Sequence, residues 1–90
     1  MLVSKMKGQQ IMKTMTLLEK ELKSIRADRM KGKYESGLFG FKACKESIKW
    51  DMEYHNLTIQ QVYGECVKRA LTEIGFNTFM IVACEEMMNE

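Results

Sequence analysis

Residues 58–76 read Thr58-Ile59-Gln60-Gln61-Val62-Tyr63-Gly64-Glu65-Cys66-Val67-Lys68-Arg69-Ala70-Leu71-Thr72-Glu73-Ile74-Gly75-Phe76, and both ends of a helix are written into them. Thr58 followed three residues on by Gln61 is a capping box, in which each side chain satisfies a backbone N–H that the first turn leaves without a partner. Leu57 and Val62 stand at the positions of a hydrophobic staple. Ile59, Val62, Cys66, Ala70 and Ile74 recur at intervals of three and four, the spacing of one buried helical stripe. Gly75 suits the left-handed position that ends a helix, and Phe76 can then fold back on Leu71. The pattern predicts a helix over 59–74 and sets the reading of the rest as helical.

The chain before it repeats the theme. Ile11, Met15, Leu18, Leu22 and Ile25 follow a 4-3-4-3 spacing, a heptad seam on a helix from about Gln9 to Lys31. Arg29 stands where the next apolar residue belongs, so the seam ends before the helix does. Two heptads are too short for a free-standing coiled coil but enough for a helical hairpin or an intersubunit pair. Residues 1–10 are expected to form a frayed extension. Between Gly32 and Gly40 three glycines break the helix, and Tyr34, Leu38, Phe39 and Phe41 make this hinge sticky: such side chains must fold back on the core or meet a partner. A helix over about 37–55 then carries two apolar faces. Phe41, Cys44, Ile48 and Met52 lie on one, Ala43, Trp50 and Tyr54 nearly opposite, with Lys42, Lys45 and Lys49 between. A surface helix needs one apolar face, so a helix with two is either sandwiched or lies at an oligomer contact.

Residues 77–84, with Asn77 or Thr78 as a cap, are apolar all round, and periodicity alone does not separate a buried helix from a buried strand there. The continuation to Glu85-Glu86-Met87-Met88 favours helix. The absence of proline and the nine methionines agree with an all-α fold.

Ninety residues bound the molecule to one domain, and a chain this short buries only about 60–65% of its unfolded surface, so sharing a core with another copy would help it. The expectation is therefore a small all-α bundle of three or four helices that self-associates. No apolar run reaches the membrane-spanning length, and the start of the chain lacks the apolar stretch of a signal peptide, which leads to an expectation of a cytoplasmic protein without a membrane partner. Cys44, Cys66 and Cys84 are odd in number and sit in apolar stretches, so they read as free buried thiols.

Charge is divided unevenly. Residues 1–49 hold 12 Lys/Arg against 5 Asp/Glu, and residues 50–90 hold 2 against 7. Such a split makes a field that steers partners, whether an outside polyanion or the acidic half of the same or a neighbouring chain.

The catalytic inventory is thin. His55 is the only histidine, and Cys44 lies three turns away on the same helix. Cys44, His55, Cys66 and Cys84 offer no closely spaced pair for zinc. Glu85, Glu86 and Glu90, with Glu65 and Glu73, could serve a magnesium-dependent hydrolase only by converging from several helices; a solvated acidic terminus is the plainer reading. Gly37-Leu38-Phe39-Gly40 matches a G-x-x-G string, but bulky residues fill its middle and no nucleotide-binding motif follows. Residues 56–75 make a poor helix-turn-helix, having only Lys68 and Arg69 as basic residues. No catalytic residue, metal or cofactor is expected.

The better candidates are surfaces. Lys23, Arg26, Arg29, Lys31 and Lys33 crowd the end of the first helix, Lys42, Lys45 and Lys49 line the next, and Tyr34 and Phe39 stand between them. Together these ten could bind a protein partner, or grip the phosphates of a nucleic acid or nucleotide. Leu18, Leu22, Ile25, Trp50 and Tyr54 are the expected oligomer contacts. The favoured function is a non-enzymatic regulatory or inhibitor-type protein-binding module acting as an oligomer, with nucleic-acid or nucleotide binding as the alternative.

Overall fold

The computed structural model describes residues 14–90, which form four helices: α1, Met15–Met30; α2, Phe41–His55; α3, Ile59–Thr72; and α4, Phe79–Met88. The expected extension over 1–10, and Ile11 at the head of the seam, lie outside the described residues. No helix among those described is long and apolar enough to cross a membrane.

The last helix organises the rest. α4 packs against all three others. Ile81, Val82, Ala83 and Cys84 are all buried, on consecutive positions around its axis. That explains why its sequence shows no amphipathic period: a helix enclosed on every side is apolar on every side. Residues 77–84 are thus turn and helix, not strand. Around α4 lie Leu18, Leu22 and Ile25 of α1, Phe41, Cys44 and Ile48 of α2, and Val62, Cys66 and Ala70 of α3. Each large side chain so enclosed contributes about 1.5–3 kcal/mol of transfer free energy.

Caps set where the helices begin. The Thr14 hydroxyl accepts a hydrogen bond from the Leu17 amide at 3.2 Å, so α1 starts at Met15 rather than near Gln9. Thr58 and Gln61 form the expected reciprocal box: the Gln61 amide donates to Thr58 Oγ1 at 3.2 Å, and the Thr58 amide donates to Gln61 Oε1 at 2.8 Å. At α4 the N-cap is Thr78, without a side-chain cap bond, and Asn77, one residue earlier, takes the first helical amide, its Oδ1 accepting from Phe79 N–H at 3.1 Å. Thr78 is buried and turns its hydroxyl to Glu21 of α1 at 3.2 Å.

The end of α3 differs from the expectation. The helix stops at Thr72, because Glu73 swings into extended backbone (φ −111°, ψ 130°) while its carboxylate takes a bidentate grip on Arg69. Ile74 therefore leaves the buried stripe and is 73% exposed. Gly75 does take the left-handed conformation, φ +78°, but as part of the turn beyond the helix. Phe76 packs at the core's edge under the Arg69 guanidinium, 4.9 Å from its ring centre.

Candidate functional site

The stretch expected to be a hinge is pinned. The Phe41 amide donates to Tyr34 O at 3.1 Å, Lys33 N–H to Asp28 O at 3.1 Å, and Gly40 N–H to Gly37 O at 3.1 Å. Tyr34 folds inward, its hydroxyl 3.0 Å from Asp28 Oδ2 and its ring 4.5 Å from that of Phe79. Gly40 lets the loop close: a Cβ there would stand 2.5 Å from Ser36 O, so any side chain would force the backbone apart. The loop's carbonyl at Phe39 accepts from Asn77 Nδ2 at 3.3 Å, which ties it to the start of α4. Leu38 and the Phe39 ring remain at its tip, 88% and 71% exposed.

Beside this loop the two charged halves of the chain meet. Arg26 and Arg29, one turn apart on α1, face Glu85 and Glu86 on α4. Arg26 makes two hydrogen bonds to Glu85, one of them 2.9 Å from Nε to Oε1. Arg29 makes two to Glu86, also pairs with Glu35 of the loop, and lies 4.9 Å over the Phe41 ring. From α2, Lys45 reaches Glu86 and Glu90, both at 3.1 Å. Paired forks of this kind are the stronger class of charge-assisted hydrogen bond. They act on ionisation in a consistent direction. Donating to Glu85 raises the Arg26 pKa, and donating to Glu86 raises those of Arg29 and Lys45. Partial burial works against ionisation of Glu86, but its bonds to Arg29 and Lys45 outweigh this and hold its carboxyl below the usual range.

The basic candidates therefore divide. Arg26, Arg29 and Lys45 are engaged with the acidic C-terminal helix. Lys33 and Lys49 have looser partners, Asp28 at 3.7 Å and Glu46 at 3.9 Å. Lys23, Lys31 and Lys42 make no ion pair among the described residues and do not form one cluster with a shared pocket. The C-terminal carboxylates, read from sequence as a solvated tail, are structural partners instead. What pointed to them was the Arg26–Arg29 spacing, a polar interruption at the seam position where a core-facing residue was due.

The five expected oligomer contacts also divide. Leu18, Leu22 and Ile25 are buried against this chain's own core, at 1%, 6% and 5% exposure. Trp50 and Tyr54 stand on the outer face of α2, ring centres 5.0 Å apart and planes 11° from parallel, both largely exposed. α2 is thus enclosed on one face only, and its second apolar face is open.

Of the groups weighed for chemistry, the three cysteines lie near one another in the core, Cys66 and Cys84 in hydrogen-bond contact. His55 is exposed at the end of α2, while Cys44, Cys66 and Cys84 are free and buried. Burial pushes the Cys44 thiol up against a weaker opposing bond from Asn77, and a hydrogen bond with Cys66, together with burial, pushes Cys84 up further. Among the described residues no three His, Cys, Asp or Glu side chains gather as metal ligands.

One concavity was not foreseen. Between α1 and α3 lies an open groove of about 560 Å³, lined by the apolar or aromatic Met15, Leu18, Leu22, Tyr63 and Val67 and the charged Glu19, Lys20, Lys23 and Arg26. No family model, curated protein or solved structure matches this chain.

Proposed function

We propose that this protein is a non-enzymatic protein-binding module that self-associates and acts through the outer face of α2. The observation that carries the reading is the exposed Trp50–Tyr54 stack. Tryptophan and tyrosine are the residues most often found as anchors of protein contacts, because they bring large rigid area with little conformational entropy to lose. Leu38 and Phe39 at the loop tip extend the apolar surface available to a partner. Engagement of Arg26, Arg29 and Lys45 by Glu85, Glu86 and Glu90 supports the protein-binding reading over the polyanion one, since those cations are already neutralised within the chain.

Light scattering coupled to size-exclusion chromatography tests it. The expected mass is a multiple of the 10.5 kDa chain, falling on dilution. Replacing Trp50 and Tyr54 together by alanine should return the protein to a single chain with its helical content unchanged. A wild-type chain that elutes at 10.5 kDa at every concentration contradicts self-association. Steeply salt-dependent capture of a labelled oligonucleotide would instead establish the polyanion reading.

A further inference from the structure

The outer face of α2 and the α1–α3 groove are complementary, and we propose that they are the two sides of one contact: the Trp50–Tyr54 stack of one copy seats in the groove of a second copy of this chain. The proposal rests on the self-association reading and adds which faces meet.

Shape and polarity come first. The stack is a projecting pair of aromatic rings, nearly coplanar and 5.0 Å apart. The groove is lined by five apolar or aromatic side chains, Met15, Leu18, Leu22, Tyr63 and Val67, of which Leu18 and Leu22 show it only their edges. Open apolar floors rimmed by polar residues mark contact sites. The two features lie on different helices, so one copy's ring pair cannot reach its own groove's position in place of a neighbour's without unpacking α2 from α4.

Charge then selects the occupant. On the groove's edge Lys20 and Lys23 have no ion partner among the described residues, whereas Arg26 is held by Glu85; Glu19 is the one carboxylate on that edge. Beside the ring pair, Glu46 is matched by Lys49 at 3.9 Å, and Glu53, between Trp50 and Tyr54 in the chain, has no ion partner among the described residues. A cationic edge therefore meets an aromatic knob that carries a free carboxylate. A basic partner would leave Lys20 and Lys23 unmatched, and an isologous pairing of two α2 faces would leave them without a role and bring two copies of Glu53 together.

A complementation experiment tests this. One variant, Trp50→Ala/Tyr54→Ala, removes the knob and keeps the groove. A second, Lys20→Glu/Lys23→Glu, reverses the groove edge and keeps the knob. All four positions are exposed, so both variants should retain the wild-type circular dichroism spectrum and melting profile. Each alone should associate at least about 10-fold more weakly than wild type and elute as a single chain where wild type assembles. Mixed in equal amounts they should form a dimer, because each supplies the face the other lacks. A third variant, Lys23→Glu/Glu53→Lys in one chain, should associate more strongly than either single reversal. If wild type assembles while the mixture stays single, or if the groove variant assembles as wild type does, the contact is elsewhere and this assignment fails alone. If wild type itself stays single, the self-association reading fails with it.

Discussion

Single residues carry more of this fold than their size suggests. Gly40 is the clearest case, since the approach of Ser36 O leaves no room for a methyl group. Gly40→Ala should lower stability by about 1–3 kcal/mol, the range for forcing a tight backbone contact open. Gly64, in the middle of α3 with open space beyond its Cα, is the counterpart: Gly64→Ala should raise stability by about 0.5–1 kcal/mol. Urea melts of the two variants check both signs at once. Glu86 is the second such residue, bonded to Arg29 and Lys45 together. Glu86→Gln should lose about 1.5–3 kcal/mol at pH 7, the range for hydrogen bonds to charged groups. The carboxyl's depressed pKa fixes the sign of the pH dependence. Its contribution is present above the ordinary carboxylate pKa and disappears as pH falls through the lowered folded value, so variant and wild type should converge in acid. The role of Gly40 was not legible from sequence, because a close approach to Ser36 exists only once the loop is closed.

At the scale of elements, the start of α3 was readable, whereas the starts of α1 and α2 were expected too early, near Gln9 and residue 37, and the end of α3 two residues too late. The start of α3 depends on a few adjacent residues: Thr58 with Gln61 makes its box whatever packs outside. Thr58→Ala should cost about 1 kcal/mol in a thermal or urea melt, with α3 fraying from its first turn. The end of α3 depended on a choice between two local options, a stop at Gly75 or an earlier one at Glu73. The Arg69–Glu73 pairing and the seat of Phe76 accompany the earlier stop, and Ile74 went to the surface as a result. α4 was ambiguous in sequence for a physical reason, since an element enclosed on all sides shows no period. Its cap was readable as a choice between Asn77 and Thr78. The structure puts Thr78 at the N-cap position with its hydroxyl turned across to Glu21, while the Asn77 side chain accepts from the first helical amide. Asn77→Ala should therefore cost about 0.5–2 kcal/mol and also loosen the loop tip, which hydrogen exchange at Gly40 and Phe41 would register.

Across the whole molecule, the uneven charge of the sequence is resolved by folding. The basic end of α1 and the acidic end of α4 lie 59 residues apart in the chain at Arg26 and Glu85, and the bundle brings them into contact. Sequence alone left three destinations for that charge, an outside polyanion, a neighbouring chain or the chain itself, because nothing in composition encodes tertiary distance. The exposed second face of α2 was legible, since Trp50 and Tyr54 fell opposite the core stripe by helical spacing alone. The α1–α3 groove was not, since it depends on how side chains of two helices distant in sequence meet in the folded bundle. The central claim is that Arg29 and its neighbours are held by the acidic C-terminal helix. A double-mutant cycle between Arg29 and Glu86, with Arg29→Met, Glu86→Gln and the double variant unfolded in urea at low salt, measures this most directly. The account predicts a coupling of at least about 1 kcal/mol that shrinks in high salt. Additive losses, within about 0.3 kcal/mol, would contradict it.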